Sequence, residues 1–212
     1  MIEIPYWVRV VALLSFAAVL ILRDRLRDPG NNVRTWEYGC LFLVGSMGAI
    51  YGAINDAITV SISPDYFIIG KGLEPGPELG LQAILLGSKA GFSAGVTVCA
   101  IGQFILLRIP APRRCRAILR YSWIPLSLAG TLAVLAPFMF GHNDPFGFTP
   151  SLAGFISSAK TTSFLKVWWA HMGAYFGLIL GSWMAICLSR RGERTEDPAH
   201  CHPPHTRLPW PA

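Results

Sequence analysis

Residues 80–107 read GLQAILLGSKAGFSAGVTVCAIGQFILL, and residues 108–120 continue as RIPAPRRCRAILR. The first stretch carries one charge, Lys89. The second carries Arg108, Arg113, Arg114, Arg116 and Arg120. About twenty mostly apolar residues cross the ~30 Å hydrocarbon core as a helix. The pair of stretches therefore predicts a transmembrane helix that ends on a basic connection.

Four further apolar runs flank it, at about 6–22, 38–59, 121–141 and 164–188. The chain is 52% hydrophobic and 14% charged, whereas soluble domains carry roughly 25% charged residues. The fold class that follows is all-α: an integral membrane bundle of about five transmembrane helices, forming one domain over 1–188. Residues 189–212 are polar and proline-rich and read as a disordered tail.

Arginines orient this bundle. Arg23, Arg25, Arg27 and Arg34 follow the first span, the cluster at 108–120 follows the third, and Arg190, Arg191 and Arg194 follow the fifth. The connections at 60–79 and 142–163 hold only Lys71 and Lys160. Basic loops stay in the cytoplasm, so the expected N-terminus is external and the C-terminus cytoplasmic. Glu3 before the first run and a basic cluster after it read as an uncleaved anchor rather than a secretory signal. Tyr6, Trp7, Tyr66, Trp168 and Trp169 would lie at the outer interface, and Trp36, Tyr38, Tyr121 and Trp123 at the inner one. The net charge of +6 sits at helix ends with no aromatic-basic stripe, so no nucleic-acid partner is expected. None of the five cysteines falls in an external loop, and free thiols are expected.

Helices in lipid associate where small residues allow close backbone approach. Gly45, Gly48 and Gly52 stripe the second span, Gly87, Gly91 and Gly95 the third, and Gly173, Gly177 and Gly181 the fifth. This predicts a tight bundle of spans two, three and five, with some stripes free for a membrane-protein partner or a second subunit.

Ionisable residues inside spans face protein or water. Lys89 and His171 each stand 19 residues before an arginine boundary, and Asp56 stands 18 after Tyr38. At 1.5 Å per residue all three lie about 28 Å from the arginine end. Lys89 and Ser93 share one face of the third span, and His171, Tyr175 and Ser182 one face of the fifth. A polar pocket lined by Asp56, Lys89, Ser93, His171 and Tyr175 is expected near the outer surface. The plainer alternative is an Asp56–Lys89 ion pair with an interfacial histidine.

The turn after the second span contains Ser63-Pro64-Asp65, a helix-start pattern, followed by Tyr66-Phe67-Ile68-Ile69. It predicts a short interfacial helix with Asp65, Tyr66 and Phe67 available for binding. Asn55-Asp56-Ala57-Ile58-Thr59 and Ile62-Ser63-Pro64-Asp65-Tyr66-Phe67, with Gly87-Ser88-Lys89-Ala90-Gly91-Phe92 beyond, resemble a group of bacterial multi-pass membrane proteins of unassigned activity. Those carry a His-Asp-x-(Ile/Val)-Thr segment and then Ile-Ser-Pro-Glu-Tyr-Phe. The likeness covers about 45 residues and implies a bacterial inner-membrane protein. Asn55 stands where that group has histidine, which puts any proton-transfer or metal role of that position in doubt.

Two chemical readings remain. Gly91-Phe92-Ser93-Ala94-Gly95 fits the G-x-S-x-G nucleophile pattern, and Ala170-His171-Met172-Gly173 is loosely similar to the histidine helix of rhomboid-like intramembrane proteases. Their sixth helix, oxyanion helix and first-loop Trp-Arg motif are missing, and Ser93 and His171 differ in height by about 6 Å. A small transporter using an Asp56–Lys89 pair is the other reading. In the tail, His200, Cys201, His202 and His205 are metal-type residues whose spacing matches no closed zinc site. No cofactor motif occurs. The leading expectation is an accessory or structural membrane protein that binds a partner or lipid at its external face.

Overall fold

The computed structural model describes residues 5–30 and 32–195. Glu3 and the tail residues His200, Cys201, His202 and His205 lie outside them. The elements are α1 (Tyr6–Arg27), α2 (Val33–Ile62), a π-helical turn (Tyr66–Gly70), α3 (Leu79–Ile105), α4 (Ala111–Tyr121), α5 (Trp123–Phe140), α6 (Phe148–Leu152) and α7 (Ser158–Thr195). Among the described residues there is no strand. Four segments are long and apolar enough to cross a membrane: Val33–Ile62, Leu79–Ile105, Ala111–Phe140 and Ser158–Gly192. On α1, Val11, Leu13, Phe16 and Val19 are exposed, a face suited to lipid. The protein is an all-α bundle of about five long helices.

Helices α1, α2 and α7 run past their expected spans, most of all α7, whereas α3 ends at Ile105 and α5 lies within 121–141. Hydropathy marks the lipid-covered part, while backbone hydrogen bonding continues until a breaker stops it. Pro64 is such a breaker. The residue before a proline avoids the helical region, and Ser63 is extended, at φ −144° and ψ 90°. Gly72, at φ +68°, then turns the chain back toward α3.

Glycine decides the packing. A Cβ on Gly48 or Gly52 would fall on the carbonyl of Gly91 or Gly87, and one on Gly91 would fall on that of Gly48. Helices α2 and α3 thus touch backbone to backbone along three glycines each. Gly177 meets Ala129, whose Cα would lie 2.7 Å from an added Cβ, and Gly173 and Gly181 meet Leu132 and Pro125. The expected packing of spans two, three and five is corrected here. The glycines of α7 close on α5, and the molecule is two tight pairs, α2–α3 and α5–α7. A stripe of small residues marks how closely a neighbour approaches, not which neighbour it is. Because both seams are internal, these glycines face a neighbouring helix of the same chain.

The pairs meet at two ends. At the arginine end, α4 touches both α2 and α7. Arg114, one of the arginines read as a loop charge, is buried and ion-paired with Glu37. Gln103 Nε2 donates to the Glu37 carbonyl at 3.0 Å. Cys40, Cys99 and Cys115 pack together there as free thiols, with 3.6 Å between the sulfurs of Cys40 and Cys99. At the opposite end the π-helical turn folds inward. Tyr66 and Phe67 are buried with Leu79, Ala83, Leu152, Phe164 and Val167, so the turn does not lay these two rings in the interface as expected. Tyr66 packs edge-on against Phe164, with ring centroids 5.2 Å apart. Ser63 makes no capping bond, and its hydroxyl is buried without a partner.

Candidate functional site

The glycine seam places the first functional side chain. Asp56 rides on α2 one turn beyond Gly52, and its carboxyl lies over Gly87, where an added Cβ would be 2.7 Å from Asp56 Cγ. The missing side chain at 87 is the space the carboxyl fills. From the other pair, α7 brings His171, whose Nε2 lies 3.1 Å from Asp56 Oδ1. Both residues are buried, at 6% and 4% exposure.

Hydrogen-bond valence fixes the state of this pair. His171 Nδ1 lies 2.9 Å from the Val167 carbonyl, an oxygen that only accepts, so Nδ1 carries a hydrogen and donates. One further proton then sits between Nε2 and Oδ1, either on the imidazole or on the acid. Asn55 Nδ2 donates to the same Oδ1 at 3.2 Å. The position where the resemblance expects a histidine thus serves Asp56 as a hydrogen-bond donor.

Aromatic rings enclose the imidazole. Tyr66 stacks on it with centroids 4.9 Å apart, Phe67 approaches edge-on at 6.1 Å, and Tyr175 at 6.5 Å. Tyr175 is nearly half exposed. Lys71 Nζ lies 5.5 Å above the Tyr66 ring. Asp65 of the same turn pairs with Lys160 at 3.3 Å.

Asp56, His171 and Tyr175 therefore meet as expected from their level, together with Tyr66 and Phe67. Lys89 and Ser93 do not join them. Both are exposed on the face of α3 turned away from α2. Lys89 Nζ lies 5.6 Å over the Tyr6 ring, and Ser93 Oγ donates to the Lys89 carbonyl at 2.9 Å. The expected pocket membership of these two, and the Asp56–Lys89 ion pair, are corrected. Height along a helix follows from counting residues, but rotation about its axis does not. The face opposite a glycine stripe met α1 and open surface rather than a second protein wall. Ser93 and His171 consequently form no dyad, since both ring nitrogens of His171 are already engaged.

Between the two helix pairs runs a crevice of about 210 Å³. Its polar end is formed by Asn55, Asp56, Lys71, His171 and Tyr175, and from there it follows Leu86, Ala90, Ala94 and Val98 on α3 and Leu178, Ser182 and Ile186 on α7. From Leu86 to Gly102 it extends roughly 24 Å at 1.5 Å per residue. Its wall is almost wholly apolar. Tyr51 lines it as well, and the Tyr51 hydroxyl is buried with no hydrogen-bond partner. Leaving a buried hydroxyl unpaired costs about 1–3 kcal/mol, so an acceptor brought to it gains affinity.

Sequence reasoning missed Tyr51, Lys71 and Arg114. Tyr51 sits one residue before Gly52 of the α2 stripe, and that adjacency was an available signal. Among the described residues no three His, Cys, Asp or Glu side chains form a group that could hold a metal ion.

Comparison with known protein families, with curated proteins and with solved structures finds no match for this chain.

Proposed function

We propose that the chain is a non-catalytic accessory protein of a bacterial inner membrane that seats one membrane amphiphile between its helix pairs. The amphiphile's polar head lies at Asp56, His171 and Tyr175, and its single chain runs toward the arginine end. The observation that carries this is the contrast between glycine-sealed seams within the pairs and a long apolar crevice between them, polar at one end. Ligand sites share this plan: an apolar wall with a few placed polar groups. In this reading the arginine end is cytoplasmic, as the positive-inside rule favours, and the head-binding end is external. The likeness in 55–67 and 87–92 to the bacterial multi-pass group supports that setting.

The test is to purify the protein gently and analyse its extracted small molecules by mass spectrometry. The wild type should carry one amphiphile per chain. Ala94→Phe, which plugs the crevice, should lose it while melting within a few degrees of wild type, because a cleft wall has room that a core lacks. An unliganded wild type, or a plugged variant that keeps its cargo, would overturn the reading.

A further inference from the structure

A second cleft lies on the other side of the molecule, between α2 and α5, with α7 as its floor. It measures about 450 Å³ and shares only Tyr51 and Asn55 with the crevice. Ile54, Ile58, Ile62, Val134 and Phe138 form its walls, and all five are exposed, Phe138 at 82%. Lys166 stands at its rim.

Depth suggests what fits. Ile62 and Tyr51 are eleven residues apart on α2, about 16 Å at 1.5 Å per residue, which is close to half of the ~30 Å hydrocarbon core. The groove is one leaflet deep. Lys166 lies 24 residues before Arg190 on the same helix, roughly 36 Å along its axis. That places the ammonium at headgroup level, opposite the arginines.

Charge narrows the choice. Lys160 pairs with Asp65, while Lys71 and Lys89 lie over the rings of Tyr66 and Tyr6. Lys166 is exposed and forms no ion pair among the described residues. Its stem passes where Gly141 has no side chain, since a Cβ there would lie 2.8 Å from Lys166 Cγ. That contact holds the ammonium at the groove rim. A cation above an apolar slot of one-leaflet depth complements an amphiphile with an anionic head.

We propose that this groove binds an anionic phospholipid of the leaflet opposite the arginines, with its phosphate on Lys166 and an acyl chain along Ile58, Val134 and Phe138. The site is separate from the crevice and does not depend on it.

The experiment is native mass spectrometry of the full chain titrated with phosphatidylglycerol or phosphatidylcholine. Wild type should retain one phosphatidylglycerol in preference to phosphatidylcholine by about fivefold, the effect of one lysine near an anionic surface. Lys166→Gln should erase the preference and Lys166→Arg should keep it. Val134→Trp should lose the lipid with the lysine intact. Lys160→Gln and Ala94→Phe should leave retention unchanged, which separates this site from the crevice. Excess glycerol 3-phosphate should not displace the lipid, because the acyl chain supplies most of the contact. Equal retention of both lipids by wild type, a preference for phosphatidylglycerol kept by Lys166→Gln, or displacement by glycerol 3-phosphate would overturn the proposal.

Discussion

The seams inside the two helix pairs and the crevice between the pairs are built on opposite principles. Inside a pair, backbone meets backbone at Gly48–Gly91 and Gly52–Gly87, and at Gly177–Ala129. Between the pairs, α2 and α7 are joined near one end by Asp56 and His171, and α4 joins both pairs at the other. Lipid offers helices no hydrophobic drive to associate, so close approach and hydrogen bonds must hold them. The seams are therefore the permanent contacts and the cleft the adaptable one. A seam without side chains has nothing to rearrange, whereas a cleft closed by one shared proton and a few rings has room for a guest.

Adding a side chain to each region should separate the two most sharply. Gly91→Val drives a branched side chain into the Gly48 carbonyl. Overpacking costs about 1–3 kcal/mol even where neighbours can move, and backbone cannot. Loss of the folded protein is expected, read as failure to give a monodisperse peak in detergent. Gly102→Ala, whose nearest neighbour would be 3.7 Å away, should stay within about 1 kcal/mol of wild type. Equal effects of the two would end the distinction.

Next in size is the polar joint. Removing one partner of a buried pair costs about 3–5 kcal/mol, so His171→Ala should lower the thermal midpoint markedly. Lys89→Met, on the exposed face, should change stability by less than about 0.5 kcal/mol. Replacing Asp56 and His171 together by leucine should recover much of the loss, because no buried ionisable group is left without its partner. If Lys89→Met proved as damaging as His171→Ala, the placement of Lys89 outside the cluster would be wrong.

The arginine end should respond more weakly. Arg114 is buried but Glu37 is partly exposed, so Arg114→Ala is expected to cost about 2 kcal/mol. Arg113→Ala should cost less than about 0.5 kcal/mol. A melt that ranks the two alike would return Arg114 to the loop charges.

The smallest effect belongs to the connection before α6. Partial desolvation pushes the Asp144 carboxyl up, but hydrogen bonds from Thr149 and Phe148 outweigh it and hold it below the usual carboxylate range. A depressed folded pKa gives stability that is present above the unfolded value and lost as pH falls through the folded one. Protection of the α6 amides relative to their intrinsic exchange rates should therefore fall on acidification, and Asp144→Asn should flatten that response.

Much of this frame was legible in the chain. Apolar runs broken by arginines mark about five long helices, glycines three or four apart mark the seams, and counting from Tyr38 and Arg190 put Asp56 and His171 at one level. What escaped depends on rotation and partner choice. Lys89 stands at the same height as Asp56, but 1.5 Å per residue says nothing about azimuth. The α7 glycines close on α5 because Pro125, Ala129 and Leu132 offer backbone there. Arg114 looked like its neighbours because a charge declares its solvent preference, not its partner. Tyr66 and Phe67 looked interfacial because their apolar rings suit bilayer surface and core alike.

The proposed amphiphile of the crevice can be caught directly in the membrane. A photo-crosslinking phenylalanine at Ala94, on the crevice wall, can be compared in native membranes with one at Thr97, exposed one turn along α3 and outside the crevice lining. Position 94 should capture one molecular species at up to one per chain, while position 97 captures lipids in their bulk proportions. Identical capture at both positions, or crosslinks from 94 to α5 or α7 alone, would contradict it.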